Sequence, residues 1–385
     1  MNNVLKLKNY SPENFIRNIK MKIKDILQTI ESLAPPALQE SYDNSGLLTG
    51  NGENEATGAL LSLDCTEEVL DEAIRNKCNL LISHHPVIFG KGLMRLNGNN
   101  YVERIVIKAI RNDISLYAVH TNLDNVGEGV NKKIAEKLGL QNTRVLSPMK
   151  KALLKLVTFA PVLHAESVRQ AIFSAGAGFI GDYSDCSFNV AGTGTFKAGE
   201  GTSPFSGERG KLHMEQEIRI ETILPFHRKN EVIAALLSSH PYEEVAYDIY
   251  ELNNLNPNEG AGLIGDLEKE MNEKSFLQML KTNMKTGPIR HTKMLGRPIK
   301  SVAVCGGAGS FLLDHAIASG ADIFVTGDFK YHQFFDADGK ILIADIGHYE
   351  SEQFTPELLK DLLNKNFPTF ATRLSETNTN PINYF

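Results

Sequence analysis

The alternation of short apolar runs with segments of helical periodicity constrains the fold of this 385-residue chain more than any other feature. From about residue 58, three apolar runs are each followed by an amphipathic segment. In chain order these segments are GALLSLD, TEEVLDEAIRNKC, NLLISHH, YVERIVIKAIRND, SLYAVHT and NKKIAEKLGL. Thr66 is placed to cap the first helix. This β-α-β-α-β-α order predicts an α/β fold, with a mostly parallel sheet and helices on both of its faces.

The same pattern returns near the other end of the chain. KSVAVCGG, ADIFVTGD and KILIADIG are typical of strands, whereas SFLLDHAIASG and SEQFTPELLKDLLNKN are typical of helices. Pro356 lies inside the last segment, so either the helix restarts there or the proline occupies a first-turn position. We expect two sequence segments, 21–149 and 266–385, to form one discontinuous α/β domain.

The intervening segment, 150–265, has a different pattern. Its elements suggest the order β-α-β-β-α-β, which is that of an inserted ferredoxin-like α+β domain. They are KLVTFAP, SVRQAIFSAGA, CSFNVAGTGTFKA, EIRIETILPF, KNEVIAALLSSH and VAYDIYEL. The amphipathic pattern of the main domain begins near Met21, so we expect residues 1–20 to be a short N-terminal extension.

Composition and charge exclude several classes of protein. The net charge is −6 and no basic stripe is evident, which disfavours nucleic acid as a partner. No window approaches the roughly 18 apolar residues that a membrane span needs, and we identify no secretion signal. The four cysteines are scattered without a CxxC pair, which argues against a thiolate zinc site or a disulfide framework. We therefore expect a cytoplasmic protein with no membrane partner.

Two adjacent histidines, His84 and His85, end one of the predicted strands. Neighbouring strand side chains point to opposite faces, so both rings can serve one site only where the chain leaves the sheet. Other polar residues also follow predicted strands; they are Asp64, His120, Asp124, Asp328 and His348. Ligands of open parallel sheets bind at the carboxyl ends of the strands. The pattern therefore predicts a functional site at these ends.

His348 and Glu352 are four residues apart and share a face if a helix has begun by His348. Together with His84, His85 and Asp124 they supply three imidazoles and two carboxylates. Five such ligands suit two divalent ions that share a carboxylate, as in two-metal hydrolytic sites. Zinc is the metal that we expect first, and manganese, iron or cobalt would also suit mixed imidazole and carboxylate ligands.

Simpler interpretations of these residues remain open. His348 and Glu352 also fit a solvated helix start, and Asp124 in HTNLDN fits a turn. His120 follows the strand alternation, which favours a core histidine or one that supports a ligand over direct ligation.

The segment TGDFKYH supplies candidates for proton transfer. Asp328, Tyr331 and His332 lie at the strand end, where a catalytic acid or base would assist hydrolysis. Alternatively, Asp328 is the N-cap of a following helix.

Several motifs together resemble the Nif-three-like (NGG-one-interacting factor three-like) family, also catalogued as GTP cyclohydrolase 1 type 2 homologues. The motifs are YDNSGLLTG, LISHHPVIF, AVHTNLDN, VCGGAGS, TGDFKYH and IGHYESE. The resemblance runs from about Met21 onward. GTGTF, SPFSGERG and HPYEEVAYD resemble the inserted domain of the longer bacterial members.

The resemblance implies a dinuclear metal site with defined ligands. His84 and His85 would each bind one ion, Asp124 would accompany His84, His348 would accompany His85, and Glu352 would bridge. It also implies a ring-shaped homohexamer with the metal sites facing an internal cavity.

A pair of divalent ions activates water for hydrolysis, so two functions are expected. The first is a metal-dependent hydrolase of a small molecule, by the family's catalogue name a GTP cyclohydrolase that opens the guanine imidazole ring and releases formate. The alternative is a regulatory or scaffold protein, in which the metal pair is structural or sensory and the inserted domain gates the cavity or binds an effector.

Overall fold

The structure, a computed structural model, describes residues 21–90 and 92–385, so the predicted extension over 1–20 lies outside the described residues. Contacts divide the chain into two compact units. The first contains the described residues up to Ser32 together with Asn44–Val119 and Leu359–Thr379. The second contains Leu33–Asp43, His120–Leu358 and Asn380–Phe385.

The described residues form fifteen strands and eleven α-helices. The strands are β1 (Gly46–Thr49), β2 (Ala59–Ser62), β3 (Leu80–Ser83), β4 (Ser115–Ala118), β5 (Gln141–Pro148), β6 (Leu153–Pro161), β7 (Ser187–Lys197), β8 (Leu212–Pro225), β9 (Tyr247–Glu251), β10 (Gly260–Met271), β11 (Arg290–His291), β12 (Ile299–Ala308), β13 (Ile323–Gly327), β14 (Leu342–Asp345) and β15 (Thr372–Leu374). The helices are α1 (Ile23–Leu33), α2 (Glu67–Arg75), α3 (Tyr101–Arg111), α4 (Thr121–Asp124), α5 (Val130–Leu138), α6 (Ala165–Ser174), α7 (Lys229–Ser239), α8 (Glu273–Asn283), α9 (Leu313–Ala318), α10 (His348–Glu352) and α11 (Thr355–Asn366).

The first unit is built on a five-stranded sheet in the order β1-β4-β3-β2-β15. Strands β15, β2, β3 and β4 are parallel, and β1 pairs antiparallel with β4 at the edge. Every residue of β2, β3 and β4 is buried, which explains their continuous apolar sequences. Helix α2 begins where predicted, because the Thr66 side chain accepts a hydrogen bond of 3.3 Å from the Val69 amide.

The second unit contains a six-stranded sheet in the order β11-β14-β13-β12-β10-β5. Its centre, β12-β13-β14, is parallel, and β10 joins β12 and β5 in antiparallel pairings. Helix α5 ends at Gly139, which has a φ of 68° and closes the helix in the left-handed conformation. A new helix, α11, begins at Thr355, and Pro356 lies in its first turn. The two alternatives stated for Pro356, a restarted helix and a first-turn proline, therefore both hold.

The inserted segment of the second unit folds as β6-α6-β7-β8-α7-β9. Its four strands are antiparallel in the order β7-β8-β6-β9, which is the ferredoxin-like arrangement. Apolar residues of α6 and α7 pack on one face of this sheet, around Leu156, Val168 and Leu236.

The predicted α/β fold with a ferredoxin-like insertion is confirmed, and the strands of its α/β part are distributed differently from the expectation. They form two sheets, one in each unit, instead of one sheet assembled from two segments. In each sheet the central strands pair with neighbours in sequence. The other pairings join strands that are distant in the chain; they are β1 with β4, β11 with β14, β10 with β5 and β15 with β2.

Candidate metal centre

The histidine doublet of the first unit lies where β3 ends. Strands β2 and β3 run parallel, with Ser62 beside Ser83, so Asp64 and the doublet leave the sheet at the same edge. The rings of His84 and His85 are 4.9 Å apart between centroids, and ligand atoms of the two side chains lie within 4.8 Å of each other. The chain has left the regular strand here, so both rings can serve one site.

Each ring of the doublet is held through its Nδ1 atom. His84 Nδ1 donates to the carbonyl oxygen of Val119 at 2.8 Å, and His85 Nδ1 donates to Asp64 Oδ1 at 2.7 Å. A carbonyl oxygen or an ionised carboxylate only accepts, so the ring proton lies on Nδ1. The Nε2 atom of each histidine is therefore the nitrogen that could bind a metal ion, an arrangement that metal-ligating histidines typically show.

The second unit holds a histidine in the same manner. Strands β13 and β14 are parallel, so Asp328 after β13 and His348 after β14 emerge at one edge. His348 Nδ1 donates to Asp328 Oδ2 at 2.7 Å, and His348 Nε2 lies 3.2 Å from Glu352 Oε2 across the first turn of α10. Glu352 is only 3% exposed. One imidazole and one buried carboxylate therefore face each other as potential ligands.

Two glycines make room for the Glu352 carboxylate. In the Gly306–Gly307 segment at the end of β12, a Cβ on Gly307 would lie 2.5 Å from Glu352 Oε1 and 3.2 Å from His348 Cε1. Gly307 also has a φ of 61°, which favours glycine. The VCGGAGS motif thus places its backbone close to His348 and Glu352, and a side chain at Gly307 would collide with them.

Asp124 joins the same cluster from the end of α4. A carboxylate oxygen of Asp124 lies within 4.8 Å of one of Glu352. Burial raises the pKa of the neighbouring Cys305 thiol, and the negative charges of Asp124 and Glu352 raise it further. Two carboxylates with a protonated thiol beside them form an electronegative pocket, and a divalent cation would relieve the repulsion between the two charges.

His120 follows the same pattern with a partner that sequence reasoning missed. Its Nδ1 donates to Asp43 Oδ1 at 2.7 Å, and Asp43 Oδ2 accepts from the Thr121 amide at 3.0 Å. Asp43 lies in the YDNSG segment, 77 residues from His120. The sequence pointed to it only through a motif that resembles the family, and not as the partner of His120. Asp64 was noted at a strand end, but its pairing with His85 was not predicted.

The three proposed proton-transfer residues have different surroundings. Asp328 has a φ of 57° and does not cap a helix, because Lys330 occupies the N-cap position of the 3₁₀ turn Tyr331–Ala337. Asp328 instead holds His348. Tyr331 is 73% exposed and packs edge-on against His332, with 5.1 Å between ring centroids. A catalytic role for these three residues stays a prediction.

Histidine, aspartate and glutamate side chains thus cluster in ways that could hold a metal ion. The donor chemistry fits a divalent ion of the zinc, manganese, iron or cobalt type. The glycines beside Glu352 leave a space that a Cβ would fill. No helix of the described residues is long and apolar enough to cross a membrane.

An α/β chain with histidine–carboxylate clusters at its strand ends defines a candidate metal-binding protein, and comparison with known proteins gives its family. The chain belongs to the Duf34/NIF3 (NGG1p interacting factor 3) family, whose model matches residues 21–381. This confirms the resemblance that the sequence motifs carried.

Named relatives cover nearly the whole chain. A Halalkalibacterium halodurans protein called GTP cyclohydrolase 1 type 2 homolog is 42% identical over 343 residues, which are 88% of this chain and 91% of that protein. A Bacillus subtilis protein of the same name is 38% identical over 94% of this chain and 98% of its own length. The crystal structure of a Bacillus cereus protein related to NIF3 superposes with a TM-score of 0.82, at 38% identity, over 95% of this chain and 100% of that chain.

Proposed function

We propose that this protein binds two divalent metal ions and uses them to hydrolyse a small-molecule substrate. The ligands in this proposal are His84, His85, Asp124, His348 and Glu352, with the pairing that the family resemblance implies. One observation carries it: His84, His85 and His348 each have Nδ1 engaged by an oxygen acceptor, so that Nε2 remains for a metal. Packing in a hydrophobic core does not require that all three histidines carry the proton on Nδ1, whereas metal binding through Nε2 does.

Two divalent ions, when bound, supply a water-derived nucleophile at neutral pH and polarise the bond under attack. The chain's own residues orient and support the ligands. Asp64 and Asp328 accept the Nδ1 protons of His85 and His348, which fixes the ring orientation and raises the basicity of Nε2. Asp328, Tyr331 and His332 are the proposed groups for proton transfer at the substrate.

GTP is the substrate that we propose first, because the named relatives are called GTP cyclohydrolase 1 type 2 homologs. The reaction would open the guanine imidazole ring by hydrolysis and release formate. Other small molecules with a hydrolysable bond suit the same ligands, so the test includes them.

The test compares metal-loaded protein with the double variant His85→Ala, Glu352→Ala. We expect the loaded protein to consume GTP and release formate, and the double variant to lose at least about 100-fold in rate. Glu357→Ala, in the next helix and paired with Lys137, is the matched control and should retain the activity. An unbiased metabolite mixture given to both proteins covers substrates other than GTP. If no metabolite is consumed by the loaded protein, the hydrolase proposal fails and the regulatory alternative gains support.

We also propose that the protein acts in the cytoplasm as a homohexamer, as the family resemblance implies. All four cysteines are free, which suits a reducing compartment. Native mass spectrometry should then give six times the chain mass of 42.6 kDa, and a monomer or dimer would contradict the assembly.

A further inference from the structure

Three segments that the metal site does not use lie together on the inserted sheet. GTGTF in β7, Pro204 and Phe205 of the following loop and the YEE residues after α7 line one cavity of about 570 Å³. This volume falls within the range of small-molecule sites in proteins. The cavity lies on the face of the ferredoxin-like sheet that its two helices leave open.

Aromatic rings form much of the cavity wall. The lining includes Phe159 from β6, Phe196 from β7, Phe205 from the loop and Tyr242. The Tyr242 ring lies 5.9 Å from that of Phe196 and 6.1 Å from that of Phe205, measured between centroids. The ring faces carry negative electrostatic potential, which attracts cations.

A buried carboxylate lies among these rings. Glu217 on β8 is 8% exposed, and its Oε1 accepts a hydrogen bond of 2.8 Å from the Tyr242 hydroxyl. Among the described residues, no hydrogen bond reaches its second oxygen, Oε2. A Cβ on Gly194 would lie 2.1 Å from that oxygen, so a glycine at this position makes room for the Glu217 carboxylate. Glu217 lines the cavity, so a ligand that carries an N–H group can donate to this oxygen.

The tyrosine that holds this carboxylate is itself fixed. The Tyr242 amide donates to His240 Nδ1 at 3.1 Å, and His240 Nε2 donates to the Phe159 carbonyl at 2.9 Å. Burial and the adjacent Glu217 charge raise the pKa of the Tyr242 phenol, so it stays a donor to Glu217. The cavity therefore presents a preorganised acceptor.

The lining carries net negative charge. Glu217, Glu243 and Glu244 contribute carboxylates, and Arg219 is the one cation among the lining residues. Its guanidinium pairs with Glu221 at 2.9 Å. An anionic ligand would meet repulsion here, and a neutral apolar ligand would leave Glu217 Oε2 without a donor.

We propose that this cavity binds a small organic cation that bears N–H groups, such as an alkyl ammonium or guanidinium compound of metabolite size. The cation donates to Glu217 Oε2 in a charge-assisted hydrogen bond, and its alkyl part lies against Phe159, Phe196 and Tyr242. The site is separate from the metal ligands and does not depend on the proposed hydrolase activity.

Isothermal titration of the metal-loaded, full-length protein with agmatine and spermidine tests the proposal, with glutarate as the anionic control. We expect sub-millimolar binding of at least one cation and none of glutarate. Glu217→Gln should weaken cation binding at least about tenfold, because the charge is lost while the shape is kept. Glu231→Gln, in α7 and outside the cavity, where the carboxylate pairs with Arg228, should bind as the wild type does. Glu352→Ala should also bind the cations normally, which separates this site from the metal site.

Three results would overturn the proposal: neither cation binds at about 1 mM, the Glu217→Gln variant binds them equally well, or glutarate binds instead. A second copy of the chain seated over the cavity would exclude both cations and so give the first of these results. If circular dichroism shows that Glu217→Gln is unfolded, Phe196→Leu replaces it. That variant should lose most of the cation affinity, and unchanged affinity would refute the site.

Discussion

Four histidines in this protein are held by the same contact, although they come from three different strand ends. His84, His85, His120 and His348 each place Nδ1 at 2.7 to 2.8 Å from an oxygen acceptor. In three of these contacts the acceptor is an aspartate. The sequence predicted the histidines, because they follow apolar strands, but it did not predict their partners. Asp43 is 77 residues away from His120 and Asp64 is 21 away from His85, so only the folded chain brings each pair together.

The first prediction concerns Asp328, which we expect to position His348. Asp328→Asn keeps the size of the side chain but weakens its hold on the Nδ1 proton, so metal affinity should fall about 10- to 100-fold. Competition with a metal chelator measures this affinity. Asp338→Asn, an exposed residue in the same connection that pairs with Lys340, is the control and should change nothing. Equal affinity in the two variants would refute the positioning role.

The second prediction concerns the glycine beside Glu352. Gly307→Ala should abolish binding of at least one ion, because its Cβ would lie 2.5 Å from Glu352 Oε1. Gly320→Ala is a matched control: Gly320 has a φ of 76° but open space around a Cβ, so it shares only the backbone strain of about 1 to 2 kcal/mol. Elemental analysis of the two purified variants distinguishes them. Full metal content in Gly307→Ala would contradict the ligand geometry.

At the scale of secondary-structure elements, the sequence predicts those strands whose own residues show the strand pattern, and it misses strands that form only by pairing with distant parts of the chain. The strands β2, β3, β4, β13 and β14 are short, mostly apolar runs that are buried throughout, and the sequence indicated all of them. It indicated no strand at β1, β5, β10, β11 or β15. Strand β10, GAGLIGDLEKEM, is rich in glycine and charge, and it becomes a strand through pairing with β5 and β12. Strand β15 has three residues and depends on its pairing with β2.

The third prediction concerns the anchor of β15. Burial alone would raise the pKa of Glu72 in α2, but hydrogen bonds from Ser375, Glu376 and Thr377 outweigh it and the pKa is lowered. Because the pKa of Glu72 is lower in the folded state, its charge stabilises the fold at pH values above the unfolded-state pKa near 4.5. This stabilisation is lost as the pH falls through the folded-state pKa.

Hydrogen exchange of the β15 amides measures this contribution. Glu72→Gln should reduce their protection at pH 7 by about 1 to 3 kcal/mol, because hydrogen bonds to a charged group are lost. The difference from wild type should shrink as the pH is lowered below about 4.5. Glu68→Gln, exposed on the same helix, serves as the control. A difference that does not change with pH would contradict the role of the Glu72 charge.

At the scale of the whole molecule, the sequence predicted the fold class and the inserted domain but not the number of sheets. Two runs of alternating strands and helices suggested one sheet from two segments, whereas each run forms its own sheet. The alternation of apolar runs and amphipathic segments indicates which elements are strands and which are helices. It does not indicate which distant strands pair. The rule that ligands bind at strand ends predicted a ligand set drawn from both runs. The family resemblance then implied which ligand belongs with which ion.

The central claim is that five residues, His84, His85, Asp124, His348 and Glu352, bind a pair of divalent ions. Crystals of the metal-loaded protein, with anomalous diffraction recorded at the edge of the bound metal, test it most directly. The account predicts two anomalous peaks per chain, about 3.5 to 4 Å apart, with Glu352 contacting both. No peak, a single peak, or peaks with Glu352 beyond ligand distance of both would contradict it.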